Sequence, residues 1–150
     1  MPLGPDIIVT EPDTPEELLA VEVQTGAGAA QAAEADLKEY MVRQNCPIGM
    51  LVTDEHVLFF RNLYEGRDPD TIRKIGECRT DELFEAMSPE TPFPERYLVL
   101  VVQQWLENLR FRSRRSWPPT ASEAIEWFVL PEVIAGTIGS TGKRWRPPGY

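Results

Sequence analysis

The stretch GPDIIVTEPDTPEELLAVEVQTG, Gly4 to Gly26, decides the fold. Residues 6–10 (DIIVT) and 18–24 (LLAVEVQ) are short runs of aliphatic and β-branched side chains, the types that fit a pleated surface. EPDTPEE, acidic and rich in turn residues, separates them, so the two runs read as neighbouring antiparallel strands. Side chains repeat along a strand with period two. Ala20, Glu22 and Gln24 therefore share one face of the second strand, while Val21 and Val23 face a core on the other. Asp6 heads the first strand.

Downstream, TGAGAA breaks the second strand and residues 29–45 change to helical spacing. Ala33, Leu37, Tyr40 and Met41 line one face, and Glu34 to Lys38 is a favourable i,i+4 pair. Pro47 and Gly49 lead into a strand, GMLVTD, and HVLFFRN follows after a turn at Asp54 and Glu55. The order over residues 6–62 is thus β, β, α, β, β. YEGRDPD is a loop, and TIRKIGECRT reads as an edge strand before a short helix starting near Asp81.

SPETPFPE (88–95), with three prolines in eight residues, reads as a linker. Beyond it, Tyr97, Val101, Trp105 and Leu109, widened by Leu98, Val102 and Leu106, form the stripe of a buried helix over 96–110. Thr120 to Glu123 matches a capping box that opens the helix SEAIEWFVL. Pro131 is expected to end that helix and to begin another, PEVIAGTI. The expected organisation is an α/β core at 1–87, a helical extension packed on it at 95–140, and a flexible tail at 141–150.

The 150 residues, 42% of them apolar, are enough for one ordinary domain with a core of its own. Cys46 and Cys78, the only two cysteines, lie far apart without metal-ligand spacing, which fits a reduced, cytoplasmic protein without a zinc site. The longest apolar run, Tyr97 to Val102, is far short of the roughly 20 residues that span a bilayer, so no membrane partner is expected. A net charge of −9 argues against general nucleic-acid binding, which relies on Lys and Arg neutralising phosphates. The cations are uneven, however: Arg110, Arg112, Arg114 and Arg115 cluster with Trp117, and Lys143, Arg144 and Arg146 with Trp145. Each cluster reads equally as a solvated surface or as a backbone-contacting patch with an aromatic residue that stacks on bases.

Two carboxylates on adjacent strands can converge on one divalent cation, because oxygen ligands suit Mg²⁺ and one or two protein carboxylates commonly hold it. Asp6 and Glu22 meet that need, Gln24 points at the same place, and the small Ala20 leaves room for a substrate. The plainer reading makes Asp6 a strand-start residue and Glu22 and Gln24 the exposed face of a half-buried strand. His56, the one histidine, sits at a strand start and reads as a surface residue. GSTGKRW departs from the phosphate-binding loop pattern where Arg144 follows Lys143, so no ATP site is implied.

Pro5-Asp6, then Glu22-Val23-Gln24 on a second strand, then a helix and a further strand, resemble the PD-(D/E)XK nuclease superfamily. Within it, LLAVEVQTG…LKEYMVRQNCPIGMLVTDEHVLFFRN is similar to the N-terminal nuclease domain of type I restriction enzyme R subunits and its small stand-alone relatives. The likeness covers roughly residues 4 to 62. It implies a restriction-endonuclease-like mixed sheet core, here with a helical C-terminal extension, and Asp6 and Glu22 as Mg²⁺-binding acids. Tyr40 matches the tyrosine of the family's helical Gln-x-x-x-Tyr element, whose glutamine position is Asp36 here. Gln24 stands where the family usually has lysine. The family's fold normally begins with a helix and a first strand, whereas this sequence starts almost at Asp6; either it is a fragment of a longer chain, or the helical tail, a homodimer partner or another subunit completes the core. Two functions remain open: a Mg²⁺-dependent DNA endonuclease using Asp6, Glu22, Gln24 and Tyr40, and a catalytically inactive nuclease-fold module for binding or assembly.

Overall fold

The computed structural model describes residues 4–26, 28–84, 94–112 and 116–140. Strand β1 (Ile7–Thr10) pairs antiparallel with β2 (Glu17–Val23), as the opening stretch predicts. Helix α1 (Ala30–Arg43) then crosses over and returns the chain to β3 (Ile48–Val52), which lies parallel to β2 with Glu22 opposite Leu51. Strands β4 (His56–Asn62) and β5 (Ile72–Arg79) extend the sheet by antiparallel pairing, and α2 (Thr80–Leu83) follows. The chain is α/β, with a mixed six-stranded sheet in the order β5-β4-β3-β2-β1-β6.

The central strands are covered on both faces. On one, Ala33, Leu37 and Met41 of α1 pack over Ala20, Leu51 and Phe60. A Cβ at Gly49 would overlap the Met41 sulfur, so the bare glycine is what lets α1 sit this close to β3. On the other face, α3 (Glu95–Asn108) lays Leu98, Val102, Trp105 and Leu106 against Ile7, Val9, Val21, Val23, Met50 and Phe59. Phe84 meets Trp105 edge to face, ring centroids 5.8 Å apart. Because α3 belongs to this chain, the second face is covered without a partner subunit. Among the described residues no helix is long and apolar enough to cross a membrane.

Four details of the C-terminal half differ from the sequence reading. No capping box forms at Thr120: Ala121 precedes α4 (Ser122–Ala124) and no side chain caps it. Pro131 does not end the helix. A proline lacks the N–H for an i to i−4 bond, and the chain absorbs this with a π turn over Ile125–Val129, in which Leu130 N–H donates to the Ile125 carbonyl, before continuing as α5 (Leu130–Ala135). The 95–140 segment is not wholly helical either, since β6 (Thr137–Ser140) joins the sheet antiparallel to β1. Finally, Trp117 is buried in the core and unavailable for stacking on bases. The rest of the helix expected beyond Phe84, the linker expected up to residue 93, Arg114, Arg115 and the 141–150 tail lie outside the described residues.

The turn from α5 into β6 depends on Gly136. A Cβ there would stand 2.5 Å from Val9 Cγ1 and 2.8 Å from the Thr10 carbonyl oxygen, and backbone cannot give way as a flexible side chain can. Gly136→Ala is expected to lower unfolding free energy by about 1–3 kcal/mol through overpacking, read as a lower denaturant midpoint; an unchanged midpoint would show that β6 is not seated against β1.

Candidate functional site

Asp6 sits where β1 leaves the ladder, and it holds β2 twice. Its backbone N–H donates to the Val21 carbonyl at 2.8 Å. Its carboxylate Oδ2 accepts the Val23 N–H, also at 2.8 Å, a donor that a β1 carbonyl would otherwise take. Asp6 thereby grips the two peptide groups that flank Glu22. Both acids are buried, Asp6 at 2% and Glu22 at 7% exposure. Buried carboxylates are costly unless hydrogen bonds, a counter-charge or a cation compensate them. A charged acceptor on a backbone N–H is among the stronger of these compensations.

The plain strand reading is therefore revised, since Glu22 faces no open solvent. The room expected at Ala20 is absent as well, because this residue is fully buried beneath α1. Gln24 is half-buried, and its N–H donates to the Val52 carbonyl at 2.9 Å, carrying the parallel pairing one residue past the end of β2. One residue further, Thr25 N–H donates to Glu95 Oε1 at 2.8 Å. That bond ties the start of α3 to the end of the sheet where Asp6 and Glu22 lie.

Tyr40 is occupied elsewhere. Its hydroxyl donates to the Glu17 carboxylate at the opposite end of β2, in a short hydrogen bond. Burial, and then the bond to this anion, hold the phenol well above its ordinary pKa. Tyr40 and Glu17 line an open groove of about 510 Å³ with Ile8, Thr10, Thr137 and Ser140. Asp36 is exposed on α1, and His56 is exposed at the start of β4. Burial pushes the Cys46 and Cys78 thiols up to about 12, so neither is a nucleophile at neutral pH. Glu17 and Glu95 were not distinguished by sequence: the first lies in the acidic run read as a turn, the second in the proline-rich linker. Only the register of β2 and the packing of α3 reveal their partners.

Among the described residues no three His, Cys, Asp or Glu side chains gather into a metal-binding group. Asp6 and Glu22 are both buried, and Asp6 holds the peptide groups either side of Glu22. Two hard oxygen donors suit Mg²⁺, which takes one or two carboxylates and keeps water in the rest of its shell; they do not suit zinc, which prefers nitrogen and sulfur. No family model, curated protein or solved structure matches the chain.

The two roles of Asp6 separate by substitution. Asp6→Ala removes the carboxylate that accepts the Val23 N–H and is expected to cost about 1–3 kcal/mol, while Asp6→Asn keeps an oxygen acceptor and loses less. Equal losses in denaturant melts would show that the Asp6–Val23 bond carries no stability.

Proposed function

We propose that the chain is a restriction-endonuclease-like protein that binds Mg²⁺ through Asp6 and Glu22 and cleaves phosphodiester bonds in DNA. The observation that carries this reading is the grip of Asp6 on the peptide groups either side of Glu22, with both acids buried. The connectivity supports it too: an antiparallel strand pair, a crossover helix and a parallel third strand follow in the order that the resemblance implies. Helix α3, on the β2–β3 face opposite α1, would stand in for the first helix of the resembled fold.

In this mechanism the Val23 N–H fixes the Asp6 carboxylate, and the β2 ladder fixes Glu22. Asp6 and Glu22 would hold Mg²⁺, which would supply positive charge to the scissile phosphate and acidify a water. Gln24, on the Glu22 face of β2, orients the attacking water through its amide. An amide brings no charge to the developing transition state, and losing one electrostatic donor commonly costs about 10²- to 10³-fold in rate. Tyr40 has no part in this step, because its hydroxyl is held by Glu17.

The second reading, a catalytically inactive nuclease-fold module for binding or assembly, is favoured by the same Gln24. Calorimetry with Mg²⁺ is expected to show uptake by the wild type that Asp6→Asn and Glu22→Gln abolish; no uptake by the wild type would refute the cation site. In cleavage assays on single- and double-stranded DNA, Gln24→Lys is expected to raise turnover by about 10²-fold. Absence of cleavage by both the wild type and this variant, despite Mg²⁺ uptake, would establish the inactive module.

A further inference from the structure

Helix α1 packs over Ala20, Leu51 and Phe60 of β2, β3 and β4. Over β1 and β6 the same face of the sheet opens into the groove of about 510 Å³. Ile8 stands opposite Ala20, so it shares the α1 face, and Gly139 stands opposite Ile8. Ile7 and Val9, on the other face, are wholly buried, whereas Ile8 is half-buried on the floor of the groove. Tyr40 and Gln44, one helical turn apart at the end of α1, form its wall.

A strand irregularity makes one end of this groove polar. Regular alternation from Ala20 would put Leu18 on the α1 face and Glu17 on the opposite one. Instead the pairing of β1 with β2 slips between Val9 and Thr10, so that Thr10 meets Glu17 and Leu18 is skipped. Leu18 turns with Leu19 into the core on the α3 side, and Glu17 comes round to the Tyr40 hydroxyl. Thr10 also stands opposite Thr137. A carboxylate can accept about four hydrogen bonds, and the phenol supplies one, so this end of the groove is rich in acceptors. Among the described residues no ion pair neutralises Glu17, and the lining holds no Lys or Arg. Arg43, in the last turn of α1, lines a separate hollow with Asn45, Arg67 and Pro69.

Such a lining repels an anion, and an apolar molecule would desolvate the Glu17 charge without compensating it. A flat cation with several N–H donors meets both demands, because it can give a carboxylate two parallel bonds. Ile8 and Pro15 are available to its apolar part. The volume lies within the roughly 300–1,000 Å³ of small-molecule sites. We propose that this groove binds a small organic cation of the amidinium or guanidinium class, with Glu17 as its charge partner and Tyr40 holding that carboxylate in place. The site stands at the opposite end of β2 from Glu22 and is independent of any chemistry there.

The test is amide chemical-shift mapping of the full chain titrated with benzamidine, benzamide and benzoate, which share a shape and carry positive, zero and negative charge. Benzamidine is expected to give saturable shifts at Ile8, Thr10, Thr137 and Gly139 in the millimolar range or below. Benzamide, which lacks the charge-assisted bond, is expected to bind at least about tenfold more weakly, and benzoate not at all. Glu17→Gln keeps an acceptor for the Tyr40 hydroxyl and is expected to bind benzamidine no better than the wild type binds benzamide. Gly139→Val is expected to abolish the shifts by filling the groove, since a Cβ there meets only the Ile8 carbonyl oxygen at 4.0 Å. No saturable shift at these amides, equal affinity for benzamidine and benzamide, or wild-type affinity in either variant would overturn the site. The charge series in the wild type decides the matter even where a variant does not fold.

Discussion

The bond from Val23 N–H to the Asp6 carboxylate is the constraint around which this sheet is arranged. At that point β1 stops and a charged side chain replaces the backbone acceptor that a longer strand would have supplied. The substitution completes the ladder of β2. It also commits one oxygen of a buried acid to the backbone and fixes its direction. Glu22, between the two peptide groups that Asp6 holds, is buried with it.

Covering both faces of β2 and β3 follows from their composition. Their residues are apolar on alternate sides almost without interruption, so the sheet needs a helix layer on each face. Helix α1 supplies one layer by a close approach at Gly49, and α3 with the 122–135 helical run supplies the other. The second layer arrives from the C-terminal half of the chain, and the same half then gives the sheet its edge strand β6. A π turn accommodates Pro131 without breaking the run, and Gly136 lets the backbone pass Val9 and Thr10 on its way into the sheet.

The first half was legible because its signals are local. Alternation in LLAVEVQ, the three- and four-residue spacing of Ala33, Leu37 and Met41, and the turn at Asp54–Glu55 each decide one element. What the sequence did not show depends on distant partners. TIGS is too short and too polar to declare itself a strand, and it becomes one only because β1 offers a free edge. Trp117 carries the arginine-rich context of a surface residue yet is buried. For the site, the pairing of Asp6 with the Glu22 segment was readable from strand order. The capture of Tyr40 by Glu17 was not, since it depends on where α1 ends against β2.

The role proposed for the two buried acids is cation binding. A ligand that binds only the folded state raises stability by RT ln(1 + [L]/Kd), about 2.7 kcal/mol at a concentration 100 times Kd. The most direct test of the account is the thermal melting temperature measured against Mg²⁺ concentration for the wild type and for Glu22→Gln, which preserves shape and removes the charge. The account predicts a melting temperature that climbs with Mg²⁺ in the wild type and stays flat in the variant. The same response in both proteins, whether a climb or none, would contradict it.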